Sequence, residues 1–365
     1  MKRIYQISAL SLLLALSLYG FTDNEDAPFR PGSGGNSGSG SQDWLIPEAD
    51  VFDGGPGKDG IPALNDPSFV NASEIDFLED QDLVLGYALG GEAKAYPHKI
   101  LDWHEIINDE LGSTSLAVIY CPLTGTGIGW DRTISAGKTS FGVSGLLYNT
   151  NLIPYDRLTD SNWSQMRFEA VNVELIGEKP EVIHLIETSW ATWKEMFPET
   201  KVVSRQTGHN RNYENYPYGD YKSNHNSLLF PVSTNDDRLL AKARVLGLMQ
   251  GDNAKVYPID KFEEETRLLY DTFQGEEIAV IGNKAANILV ALNRTLSDGT
   301  VLDLTLVGAS SPWLIEDQEG NRWNLFGKAV SGPREGESLQ LFPQMMGFWF
   351  SWSPFFETIE IYEGV

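Results

Sequence analysis

The chain is poor in cysteine and in positive charge. A single thiol, Cys121, in 365 residues excludes an intrachain disulfide framework, a cysteine zinc knuckle and an iron–sulfur cluster. Lysine and arginine number 27 against 51 acids, a formal charge of −24. No basic stripe is available for a nucleic-acid backbone or an anionic lipid surface, so neither is expected as a partner. Long hydrophobic runs are also lacking. The longest, Ala9–Leu18, is short for a membrane span, which needs about 20 residues. What is present in quantity is apolar and aromatic residue, 41% and 11%, enough for real cores.

The N-terminus reads as a secretory signal. Lys2 and Arg3 precede the apolar run, and the first acid is Asp23. Phe21 follows Gly20, where a lipoprotein box would place cysteine. Residues 1–21 are therefore read as a signal, and the protein as exported: periplasmic, cell-surface or secreted, with no transmembrane domain once the signal is removed. Residues 22–43, which include Pro31–Ser41, have the Gly/Ser composition of a flexible linker. Residues 44–82 form a lead-in to the rest.

An ordered series of matches then points to an internal repeat. VLGYALGGEAKAYPHKIL from Val84 corresponds to VLGLMQGDNAKVYPIDKF from Val245. LAVIY before Cys121 corresponds to IAVIG before Asn283, Asp156 and Trp163 to Asp317 and Trp323, and Ser189–Thr200 to Phe348–Thr358. The expected organisation is repeat unit 1 over 83–200, a connector over 201–243 and repeat unit 2 over 244–365. Strand signals dominate: SLAVIY is a short apolar run, KTSFGVSGLLY follows a turn, and VLDLTLVG alternates. Each unit has one helix candidate after its Tyr-Pro, with ILDWHEIIND supplying the periodicity in the first. The fold expected is mainly β (α+β), two related β-rich lobes with few short helices.

The units differ in chemistry. His98, His104, His184, His209, His225 and Cys121 all lie in unit 1 or the connector. Helical phase turns His104 inward beside Ile100 and Trp103, with Glu105 roughly 100° away. Cys121 closes a strand and opens the turn Cys121–Pro122–Leu123–Thr124–Gly125. If the helix packs on that strand, imidazole and thiol converge. Three readings stand side by side: a thiol nucleophile activated by a base, a soft-metal pair made of His104 and Cys121, or a core thiol and a core histidine. Glu105 is a candidate beside them, with Glu105 or Asp131 expected at the pocket's edge, and Asp131, Tyr155, Asp156 and Arg157 are further candidates for the same catalytic site. Asp53–Gly60 reads as a tight turn, with calcium as the lesser alternative. The competing functional class is a non-catalytic envelope module binding a small molecule, peptide or glycan.

GGPGKDGIPAL (54–64), AYPHKILDWHEIIND (95–109), YCPLTGT (120–126), FGVSGLLYN (141–149), YDRLTDSNWSQ (155–165), NYPYGDY (215–221) and FWFSWSPF (348–355) together resemble a bacterial and archaeal family known only as a domain of unknown function, number thirty-one seventy-nine. The resemblance implies export, as in many members, and brings no established reaction. It also implies a second cysteine in some members where this chain has Thr124, so a Cys-x-x-Cys pair is absent here.

Overall fold

The computed structural model describes residues 43–308 and 313–364. The expected signal, and the linker up to its last residue, lie outside the described residues. Among the described residues no helix is long and apolar enough to cross a membrane.

The chain is mainly β and is arranged as a six-bladed β-propeller. Blade one joins Leu83–Leu89, Glu92–Pro97, Ile186–Ser189, Lys201–Val203 and Phe69–Asn71. Blade two joins Leu64–Asn65, Ile106–Leu111, Thr114–Cys121, Thr126–Asp131 and Val182–Ile183. Blade three joins Val51–Asp53 with the strands Phe141–Tyr148, Asn151–Asp156, Asn162–Ser164 and Glu169–Asn172. Blade four is built from Arg244–Gln250, Asn253–Pro258, Gln344–Phe348 and Thr358–Ile361. Arg267–Phe273, Glu276–Asn283 and Ile288–Asn293 make blade five, and four short strands between Thr305 and Ser331 make blade six.

Blades one and four share one plan. Val84, Leu85 and Gly86 face Pro97, Tyr96 and Ala95, while Val245, Leu246 and Gly247 face Pro258, Tyr257 and Val256. In both, a third strand runs antiparallel on the first and a fourth runs parallel on the second. The two glycines serve the same purpose. A Cβ at Gly86 would lie 2.2 Å from the Trp193 indole, and one at Gly247 1.8 Å from that of Trp352, so only glycine lets each ring lie on its strand. Tyr96 donates to Asp109 and Tyr257 to Asp271, each at 2.8 Å. Trp163 and Trp323 donate to Asp156 and Asp317 at 3.0 and 2.9 Å.

The halves do not fold as free-standing lobes, because their cores run across the boundary. One cluster joins Cys121, Trp130 and Trp163 to Val245, Trp349 and Trp352, and another joins Trp193 and Val202 to Ile281 and Trp323. Two local expectations are corrected. The helix after Tyr96–Pro97, α1, covers only His98–His104, and Ile106–Leu111 leaves it as a strand because it finds a full antiparallel partner in Thr114–Ile119. Its counterpart after Pro258 is a single 3₁₀ turn, Ile259–Lys261. Of VLDLTLVG only Thr305–Leu306 pairs as a named strand.

Candidate functional site

Helix α1 ends at Glu105, whose φ of 58° lies in a region a non-glycine residue occupies at a cost of about 1–3 kcal/mol. The backbone there is held from both sides. The Glu105 N–H donates to Leu101 O, and Glu105 O accepts from Tyr120 N, both at 2.8 Å. The second bond ties the end of the helix to the strand that carries Cys121. The Glu105 side chain is buried and makes no ion pair among the described residues. Burial pushes its carboxyl up to about 8, so at neutral pH it holds its proton.

Cys121 is 1% exposed at the end of its strand. Its carbonyl accepts from Gly125 N at 2.8 Å, closing the turn. The thiol faces Thr150 O at 3.7 Å. Burial, and then the charge of Glu105, push it up to about 11. Behind the turn a fully buried amide–hydroxyl network fixes its shape. Thr124 Oγ1 and Thr126 Oγ1 are 2.8 Å apart, Thr126 donates to Gln165 Oε1 at 2.6 Å, and Asn151 Nδ2 donates to the same oxygen at 2.7 Å. Gln165 Nε2 donates in turn to Ile119 O at 2.9 Å. Such a network holds one geometry because each lost partner would strand a buried polar group.

The third member comes from the end of the connector and was not anticipated from the sequence. Lys242 is 4% exposed, and its Nζ has no hydrogen-bond partner among the described residues. The amine instead lies 3.1 Å from the centroid of the Tyr221 ring, 4.5 Å from Phe350 and 5.3 Å from Phe348. Burial pulls it down to about 7, against the opposing charge of Cys121. Cys121 thus stands within the electrostatic reach of a carboxylic acid and of an amine poised at neutrality.

The connector roofs this cluster. Trp103 Nε1 donates to Asn215 O at 3.0 Å, Tyr216 OH to Pro122 O at 3.2 Å, and Lys222 pairs with the buried Asp102 at 2.9 Å. On the far side of the Cys121 turn lies a second charged group. Arg244 donates to Gly125 O at 2.7 Å and pairs with Glu187, which sits 3.4 Å from His98 Nε2. Burial, with Lys222 and Arg244 nearby, holds His98 well below its ordinary value.

The other expected residues are placed differently. His104 is buried as expected, but its ring nitrogens are taken by Pro62 O and Tyr213 OH, both at 2.7 Å, and burial lowers it to about 4. It anchors the roof, and the carboxyl coupled to the thiol is that of Glu105, which adds a charge only once it ionises above about 8. Asp131, expected at the pocket's edge, pairs with Leu116 while Cys121 pairs with Thr126. Five residues of strand put it roughly 15 Å away. Tyr155 and Arg157 clamp Asp59 at 2.6–2.8 Å, where bonds from Arg157 and Tyr155 outweigh burial and hold that carboxyl low. This clamp, with Asp53 accepting from Gly55 N, makes residues 53–60 a tied turn. Asp156 accepts from Leu158, Thr159 and Trp163. Among the described residues no three His, Cys, Asp or Glu side chains are disposed to hold a metal ion.

Register identifies what stands opposite in the second half. Ile106 faces Ile119 and Leu268 faces Ile281, so Glu105 corresponds to Arg267 and Cys121 to Asn283. Asn283 accepts from Ala286 N at 2.8 Å and donates to Thr266 at 3.1 Å, an ordinary turn. Ala243 O accepts from Trp349 N as Asp82 O does from Trp190 N, so Lys242 corresponds to Gln81, which is exposed. The acid and the thiol of the first half meet the amine of the connector, and none of the three recurs at the aligned positions Arg267, Asn283 and Gln81.

No curated protein and no solved structure matches the chain. A family described as "Protein of unknown function (DUF3179)" matches residues 58–359, and the chain belongs to that family.

Proposed function

We propose that the protein is an exported enzyme in which Cys121 is the nucleophile, Lys242 its base and Glu105 the acid, acting on a carbon electrophile that carries a leaving group. The observation that carries this reading is the Lys242 amine, buried, without a hydrogen-bond partner among the described residues and within electrostatic reach of the Cys121 thiol. A buried lysine serving packing alone would be better replaced by an apolar residue. A lysine drawn down to about 7 is neutral half the time at that pH and free to take a proton.

In the forward step the Sγ–H proton passes to Lys242 Nζ as Sγ bonds to the electrophilic carbon. Glu105 gives its proton to the departing atom and becomes a carboxylate. Water then attacks the thioester-like carbon, Glu105 takes the water's proton, and the ammonium of Lys242 returns its proton to the released sulfur. Each group ends as it began. The helix end at Glu105 and the network around Thr124 and Gln165 supply the fixed geometry such a step needs. The halves of the propeller descend, in this reading, from a duplication whose second copy kept the scaffold and lost the chemistry. The paired registers and paired Trp–Asp bonds support this.

The test is covalent labelling of the mature chain with a panel of carbon electrophiles, read by intact mass and peptide mapping. Adducts at Cys121 that disappear in Cys121→Ser, and form at least about tenfold more slowly in Lys242→Met and Glu105→Gln, are expected. Adduct rates unchanged in both of those variants would overturn the assignment.

A further inference from the structure

A groove of about 710 Å³ opens where blades one, two and six meet, away from the Cys121 cluster. Its size falls within the range of small-molecule sites. Tyr87, Phe197 and Phe326 form its aromatic wall, with Phe326 6.1 Å from Tyr87, edge to face, and 6.3 Å from Phe197. Around that wall stand Glu92, Asp131, Glu181 and Glu335, none of which has an ion-pair partner among the described residues. Lys328 is the lone cation of the lining. His184, also in the wall, has its Nδ1 buried and without a partner. Burial lowers that imidazole to about 4, so it adds an acceptor and no positive charge at neutral pH.

The second half carries a groove at the corresponding place, about 590 Å³, where Glu169, Asp252 and Glu276 stand against two cations. Gly251 corresponds to Gly90 and Phe356 to Phe197, but Asn293 replaces Asp131. Arg167 and Lys179 both line it, against a single lysine in the first groove. Two sites with one backbone plan thus differ in the balance of charge, four acids and one lysine in the first against three acids, an arginine and a lysine in the second, and only the first adds an imidazole whose Nδ1 is unpartnered among the described residues.

We propose that the groove between Tyr87, Phe326 and Glu181 binds a small organic ammonium ion, with its apolar body on the aromatic wall and its charge among the carboxylates. Clustered acids over low-dielectric walls concentrate a cation, and aromatic faces attract it further. The site is independent of the Cys121 chemistry.

The probe is phenethylammonium, titrated calorimetrically into the mature chain at low salt, with 2-phenylethanol as the neutral body of the same shape. The ammonium is expected to bind, with affinity falling about fivefold or more in Glu181→Gln/Glu335→Gln and in high salt. Phe326→Leu is expected to weaken it as well. All of these positions are exposed or half-buried, so the variants keep the fold. Equal binding of the alcohol and the ammonium, an unchanged affinity in the double variant, or no heat with either probe would each overturn the proposal.

Discussion

Replacing Lys242 by methionine should stabilise the protein at neutral pH while abolishing Cys121 chemistry. In the unfolded chain the lysine has its ordinary value of 10.5, and in the folded chain about 7. Below pH 7 the amine is charged in both states, and the folded state carries the full cost of a charge without a hydrogen-bond partner. Between pH 7 and 10.5 the unfolded chain binds a proton that the folded chain does not, so stability rises with pH across that window. Above 10.5 the penalty is gone. The full difference corresponds to at most about 5 kcal/mol. Relaxation of the protein around the charge, and the attraction of the Tyr221 and Phe350 rings for the cation, reduce it to about 2 kcal/mol. Methionine keeps the apolar stem against those rings. Lys242→Met should therefore be about 2 kcal/mol more stable than the wild type at pH 7 and equal to it near pH 11, by denaturant titration at stepped pH. A variant less stable at pH 7, or a difference that does not change with pH, would refute the argument that the amine is held uncompensated.

Three further outcomes are expected. Glu105→Gln, isosteric with the protonated acid, should gain about 2 kcal/mol over the wild type at pH 7 and nothing near pH 4, because the carboxyl ionises between 4.5 and 8 only in the unfolded chain; the same titrations read it. Gly86→Ala and Gly247→Ala should each cost about 3 kcal/mol or more, since each added Cβ meets an indole ring rather than a flexible tip, and matching losses by thermal unfolding would bear out the shared blade plan. With 51 acids against 27 bases, the melting temperature should rise as sodium chloride screens self-repulsion, most of the gain coming below about 0.5 M salt; a fall over that range would mean that the ion pairs dominate.

The parts of this molecule that could be read from its sequence are those set by neighbours along the chain. SLAVIY is a strand because a short apolar run suits a buried one, and its end at Cys121 follows from the proline and glycine beyond it. The paired motifs around Tyr96 and Tyr257 sit in matching registers because each pairs with its own hairpin partner. Where the reading failed, a contact across many residues had decided the matter. The periodicity of ILDWHEIIND continues past His104, but the bond from Tyr120 N to Glu105 O and the pairing of Ile106 with Ile119 turn the chain into a strand. Glu105 is buried for that reason and not by helical phase. Lys242 is 121 residues from Cys121 in sequence, with no local motif to mark it. His104 was correctly turned inward, yet its partner came from the connector, as Tyr213.

The aligned turns of the two halves are both braced from outside but hold different side chains. In the second half Asn283 accepts from Ala286 N and donates to Thr266, and Ala286 O accepts from Thr188 Oγ1 and Ser189 N of blade one. The turn at Cys121 cannot close itself that way, because a thiol is a weak hydrogen-bonding group. It is completed by residues from four other places: Glu105 from the helix end, Asn151 and Gln165 from blade three, Tyr216 from the connector and Arg244 from blade four. Both turns are thus tied to a neighbouring blade, and the first differs in what it gathers: a thiol, an acid and an amine. In the reading proposed above, the thiol gains a fixed position and an acid and a base on separate elements. The connector delivers both the roof and Lys242. Shortening the 201–243 segment should therefore abolish Cys121 labelling even where the blades remain folded.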